Sequence, residues 1–240
     1  MIRLALPQDM GEIKKLWQEV FDEDSAVCDS FFDTVYKDTL NPVAEVDGEI
    51  VSSLFLIPCK IGEFCGNYVY CALTRPDCRR RGYMKSLLDF SYSLTENKDF
   101  LLLVPASEGL FKYYEKCGFS PYGVSRRYVV GKNYPESFDS FFDCELEFNS
   151  SVADYWKKAC VYYGGEALEN GKISALMFKD GDVILRNAKG KIQDFLSLRL
   201  KGGAVIEGSI DKGELKTPAM IKTENEKIKN YKCLIGITLE

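Results

Sequence analysis

A mixed α/β fold is predicted for this chain of 240 residues by three observations. Short apolar runs alternate with amphipathic helical patterns through the first half. The stretch FLLLVP at 100–105 is apolar throughout, as in a strand buried on both faces of a locally parallel sheet. Asp-Gly and Asn-Gly pairs between apolar runs mark tight hairpins. A strand, a helix and a strand in that order form a right-handed crossover, so the central sheet should mix parallel and antiparallel pairs.

The elements follow in order. Residues 2–6 are a strand ended by Pro7, and Asp9 with Glu12 forms a capping box. Ile13, Leu16, Trp17, Val20 and Phe21 then fall on one helical face. Residues 22–30 (DEDSAVCDS) are acidic and loop-like, and Phe31, Phe32, Val35 and Tyr36 predict a second short helix. Asp47-Gly48 is a hairpin turn between PVAEV and EIVSSLFLIP, and YVYCALT (68–74) is the next strand. Met84, Leu87, Leu88, Ser91 and Leu94 mark a helix. The FLLLVP strand follows, then a helix at 107–118 with Ser107 as N-cap and Gly118 as its stop. A strand within 121–131 closes a first domain, 1–132.

Residues 133–149 read as a linker, and 150–240 as a smaller α+β domain. It opens with a helix that carries Val152, Tyr155, Trp156 and Ala159 on one face. Hairpin signals at Asn170-Gly171 and Asp180-Gly181 predict a three-strand meander. A helix near 191–200, a strand at 204–210 and a final strand KCLIGITL follow. This order echoes the first half and suggests a diverged structural repeat.

Composition narrows the function. A net charge of −5 argues against wholesale nucleic-acid binding and leans weakly toward a cationic substrate. No apolar run reaches the ~18 residues of a membrane span, and the N-terminus has no signal-like apolar region. Nine cysteines without a CxxC pair read as reduced thiols of a cytoplasmic protein. The absence of histidine excludes Ser-His-Asp and Cys-His chemistry and most catalytic zinc sites, and no metal is expected.

One turn stands out, RPDCRRRGYM at 75–84, between a strand and a helix. A helix N-terminus leaves about four amides unpaired and partly positive. A glycine there lets a ligand approach the backbone, and arginines add fixed charge. Arg79-x-x-Gly82 therefore reads as a pyrophosphate cradle. Without Gly-Lys-Ser/Thr it is no P-loop, and with one glycine it is no dinucleotide fingerprint.

Arg79-x-x-Gly82-x-Met84, with Pro76 ahead of it, resembles the Gln/Arg-x-x-Gly-x-Gly/Ala motif of the GNAT-type N-acetyltransferases. Downstream, Tyr114-Glu115-Lys116-Cys117-Gly118-Phe119 resembles the Tyr-Glu-Lys-x-Gly-Phe end of that family's next helix. The resemblance covers about residues 1–132. It implies the GNAT fold, followed by a smaller, diverged GNAT-like half, and acetyl-CoA as co-substrate. Backbone groups of Ala72, Leu73 and Thr74 would line the acetyl and pantetheine arm. Amides across Arg79, Arg80, Arg81, Gly82, Tyr83 and Met84 would hold the pyrophosphate, with Arg79 or Arg81 adding charge. Tyr114 would assist the departing thiolate as an amine attacks directly. The base that takes the amine's proton is not identified; Glu45, Glu63 and Glu108 are the carboxylates considered, and Cys71 is a thiol near the site. Met84 departs from the family's small residue, which leaves a non-catalytic coenzyme- or partner-binding scaffold as the alternative. The second half, without an arginine-glycine turn, is expected to shape the substrate cleft. The acceptor would be a small-molecule or peptide amine, and exposed strand edges leave room for a homodimer.

Overall fold

The computed structural model describes residues 1–21, 25–94, 99–123, 125–131, 144–169, 174–177, 182–186, 209–216 and 219–235. Strand β1 (Ile2–Leu4) pairs antiparallel with β2 (Pro42–Val46), and helices α1 (Met10–Phe21) and α2 (Ser25–Thr34) lie between them in the chain. Residues 25–30, expected as loop, are the first turns of α2. Val27, Cys28, Phe31 and Phe32 form one buried stripe there, and its packing outweighs the acidic composition. Asp47 (φ 52°) and Gly48 (φ 85°) make the turn into β3 (Glu49–Ile61), both left-handed as a primed hairpin turn requires. β3 returns as β4 (Phe64–Thr74), and α3 (Tyr83–Ser93), β5 (Phe100–Leu103), α4 (Glu108–Lys116) and β6 (Ser120–Tyr122) follow. The crossover through α3 makes β4 and β5 parallel.

The single strand expected within 121–131 divides at Gly123 (φ 70°). An added Cβ on Gly123 would meet the Ile235 side chain at 2.6 Å, so the chain bends where only glycine fits. β6 stays in the first sheet, whereas β7 (Ser125–Gly131) enters a second one. β8 (Cys144–Phe148), α5 (Ser150–Tyr162), β9 (Glu166–Glu169), β10 (Ser174–Met177), β11 (Asp182–Arg186) and β12 (Ser209–Lys216) come next. The chain ends with β13 (Ala219–Lys222), α6 (Glu226–Asn230) and β14 (Cys233–Leu234). The expected meander forms as β9, β10 and β11, in a sheet ordered β12-β7-β11-β10-β9. Its turns, the helix expected near 191–200 and residues 204–208 lie outside the described residues.

Strand pairing crosses the boundaries expected from the sequence. β13 inserts antiparallel between β5 and β6, with Met220 opposite Leu103 on one side and Pro121 on the other. β8, inside the expected linker, pairs with β3, and β14 then pairs with β8. The reason is edge satisfaction. β5 is buried and apolar, so its far edge needs a strand, and the buried run Ala219, Met220 and Ile221 supplies it. The stretch from 150 to 240 is therefore not a unit separate from 1–132.

Two cores flank the first sheet. On the α1/α2 face, Trp17 packs against Phe31 (ring centroids 5.1 Å), Phe55 (5.6 Å) and Tyr70 (5.6 Å). On the α3/α4 face, Leu54, Leu87, Leu88, Leu101, Leu103, Tyr114 and Met220 cluster. A fragment of residues 1–132 would lack β13, leaving β6 with no strand partner among the described residues and β5 with one open edge. We expect it to aggregate or fail to melt cooperatively by circular dichroism. A soluble monomer with a sharp transition would show that the sheet closes without its last inserted strand.

Candidate functional site

β4 and β5 pair over only three rungs, Gly66–Phe100, Asn67–Leu101 and Tyr68–Leu102. Beyond them β4 continues to Thr74 while β5 stops at Leu103, so the two strands part into a slot. At its mouth Cys71 adopts φ 45°, and the β3–β4 register shifts by one residue between Ser53 and Phe55. This is a β-bulge, a device that re-aims the strand edge. Beyond the bulge, Leu73 and Thr74 pair with β3, and Ala72, Leu73 and Thr74 have no strand partner among the described residues on the side of β5. Ser52 fixes them from β3: its hydroxyl donates to the Leu73 carbonyl (2.7 Å) and lies 2.8 Å from the Thr74 hydroxyl.

The turn after β4 ends in Gly82 (φ 86°), which caps α3. The first bond into the helix runs from the Ser86 amide to the Gly82 carbonyl (3.0 Å). The amides of residues 80 to 85 donate to no described group, a continuous row that includes the helix's first orphan donors. A Cβ on Gly82 would meet nothing within 4 Å, so the space before this row is open. The arginines divide into two kinds. Arg79 donates to the Thr74 carbonyl (3.2 Å) and Arg81 to the Asp77 carbonyl (3.0 Å), so both brace the turn. Arg80 (φ 64°) is exposed and bonds to no described group. Tyr83 and Met84 pack their side chains against the α3/α4 core. Methionine's bulk is thus directed to the core, while the amides of α3's first turn remain unpaired.

Tyr114 lies in the same core cluster as Val69 and Leu103, with Ala72 packed against it. Its ring is 7% exposed and meets Phe119 edge-on at 5.9 Å. Burial, with a smaller contribution from the Cys117 thiol, pushes its phenol up to about 12. Tyr113, beside it on α4, packs against the same cluster and its phenol is likewise raised, by burial and then by Cys117.

The carboxylates considered as bases are not gathered at the slot. Glu45 is held by Arg3, whose Nε lies 2.9 Å away. Glu63 sits in the β3–β4 turn, at the opposite end of β4 from the bulge, and Glu108 is exposed at the start of α4. The described cysteines are free thiols, and no group of acidic or cysteine side chains among the described residues could hold a metal. No described helix is long and apolar enough to cross a membrane.

Sequence reasoning missed the bulge, Ser52 and the bracing role of two arginines. No residue type announces a left-handed cysteine inside a strand, and a buried serine reads as neutral until its partner strand is known.

Several solved structures share this architecture. A candidate acetyltransferase from Pyrococcus horikoshii aligns with a TM-score of 0.55 and 13% identity, over 98% of this chain and 94% of its own. A conserved Enterococcus faecalis V583 protein, described as a candidate N-acyltransferase, gives 0.63 and 10% identity, over 93% of this chain and 72% of its own. Eis1 from Mycobacterium abscessus gives 0.58 and 8% identity, over 93% and 73%. These likenesses reach through the second sheet, so the two-part fold recurs in them. No match was found among curated protein sequences. The sequence profile of the acetyltransferase (GNAT) domain matches residues 1–122, the stretch that builds the slot, the amide row and Tyr114. On this match, the chain belongs to the GNAT acetyltransferase family.

Proposed function

We propose that the protein transfers an acetyl group from acetyl-CoA to a primary amine by direct attack. The observation that carries this reading is the row of unpaired amides at 80–85, open to solvent at the end of the β4–β5 slot. Such a row with Arg80 beside it suits the pyrophosphate of the coenzyme. The slot suits the pantetheine arm, laid along Ala72, Leu73 and Thr74 as an added partner for β4.

In the reaction the amine nitrogen bonds to the acetyl carbon, the carbon–sulfur bond breaks and the thiolate leaves. An amide of the bulged strand polarises the carbonyl. Tyr114 is neutral at physiological pH and offers its hydroxyl hydrogen to the sulfur. The attacking amine loses its proton to solvent or to a base. In the second half, α5 packs against α2 over the α1/α2 face of the sheet, which supports a role for this half in shaping the acceptor end of the slot. The acidic balance favours a cationic amine. The second reading is a coenzyme- or partner-binding scaffold without turnover; Met84, one of its three supports, packs against the α3/α4 core.

Calorimetric titration of acetyl-CoA tests the cradle. We expect one site per chain, and Gly82→Glu should weaken binding at least a hundredfold by placing a carboxylate in the open space and forcing a left-handed side chain. Unchanged affinity in the variant, or no binding by the native protein at millimolar coenzyme, would remove the proposal's basis. Turnover is then read as thiol release against a panel of amines.

A further inference from the structure

We infer that Tyr155, on α5, is a positioning residue for acetyl transfer: through Tyr70 it holds the bulge of β4 in its working register. The catalytic consequence rests on the function proposed above; the structural one does not. The Tyr70 and Tyr155 hydroxyls lie 3.1 Å apart in a buried hydrogen bond. Tyr70 immediately precedes Cys71, whose φ of 45° is one that side-chain-bearing residues rarely adopt. Such a conformation persists only where its surroundings over-determine it.

The surroundings here come from both parts of the chain. Trp17 and Phe31 grip the Tyr70 ring, with centroids at 5.6 and 5.2 Å. Ring contacts alone tolerate sliding, whereas a buried hydroxyl pair is directional and fixes how far the ring reaches. Tyr155 is itself anchored. Its ring meets Phe31 at 5.7 Å, and the start of α5 is tied to the first domain by Asn149 and Ser151, both donating to Asp38. If the bulge relaxed, Leu73 would leave its place opposite Ser53. Ala72, Leu73 and Thr74 would then turn over to the opposite faces of the strand. The unpaired amides at 80–85 follow in the next turn, which Arg75 on Glu49 and Asp77 and Arg81 on the Asp77 carbonyl also brace, so it keeps anchors that do not depend on Thr74.

Tyr155→Phe and Tyr70→Phe each remove one hydroxyl and keep both rings. Hydrogen exchange on the full chain should quicken about tenfold at residues 71–74 in either variant, with residues 87–91 of α3 unchanged. In turnover, kcat should fall and KM for acetyl-CoA rise, together lowering kcat/KM about tenfold, and the double variant should be no worse than either single one, because all three lack the same bond. Should Tyr155→Phe not fold, Tyr70→Phe reads the bond from its other end. Native exchange at 71–74, exchange raised evenly through the sheet, or losses that multiply in the double variant would each overturn the inference. An inactive native protein would instead defeat the proposed function, while the exchange measurement still decides this one.

Discussion

Tyr114→Phe is expected to lower kcat about a hundredfold while acetyl-CoA affinity stays within about twofold. The variant keeps the ring in its cluster with Phe119 and Leu103 and loses only the hydroxyl. With its phenol pushed up to about 12 by burial, Tyr114 keeps its proton at every physiological pH. An alkyl thiolate has a pKa of about 8.5, so complete transfer from this phenol is uphill by roughly 3–4 units, about 5 kcal/mol. The group therefore acts as a strong hydrogen-bond donor to the departing sulfur, strongest as charge develops there. A consequence for pH follows from the sign of the shift. The donating form is the neutral one, and a raised pKa extends it upward. The kcat/KM profile should rise as the amine deprotonates and show no descending limb from Tyr114 below about pH 11. A Phe variant with native kcat, or a native profile falling between pH 9 and 10, would reduce Tyr114 to a packing residue.

Gly66→Ala should cost on the order of 3 kcal/mol in chemical denaturation. Gly66 sits opposite Phe100 at the first rung shared by β4 and β5. A Cβ there would lie 2.4–2.5 Å from three atoms of the Phe100 ring, which is completely buried. The ring cannot swing aside, because the strands are locked just outside it: the Asp99 amide donates to the Cys65 carbonyl (2.6 Å), and the Cys65 amide donates to the Asp99 carboxylate (3.0 Å). Phe100→Leu in the same chain should recover part of the loss, a coupling that a double-mutant cycle reads directly. A cost below about 0.5 kcal/mol for Gly66→Ala would mean that the rung yields more easily than its packing indicates. Since these rungs are the vertex from which the slot opens, the same variant should also weaken coenzyme binding.

Much of the first domain was legible because local signals agreed with the fold. Asp47-Gly48 needed no tertiary help to form its turn, and the heptad-like spacing of Ile13, Leu16 and Trp17 gave α1 directly. The Arg-Gly turn was legible as an anion cradle because unpaired helix-start amides are a local property. The roles of its arginines were not, since bracing depends on where the Thr74 and Asp77 carbonyls come to lie. Residues 25–30 misled because charge composition cannot register a buried stripe. β13 was illegible for a deeper reason. Four residues carry no period of their own, and their partners lie far away in sequence. The bulge escaped notice likewise, since cysteine has no preference for a left-handed backbone, and the neighbouring Tyr70 packs against Trp17, Phe31 and Tyr155, which come from other elements.

The placement of β13 also sets a timetable for the protein's birth. β5 and β6 leave the ribosome early, but the strand that fits between them follows only after residues 123–218. At 5–20 residues per second, roughly a hundred residues take on the order of 5–20 seconds. Throughout that interval the nascent chain displays an unfilled gap beside its most apolar strand, and whatever guards nascent chains has that long to engage it.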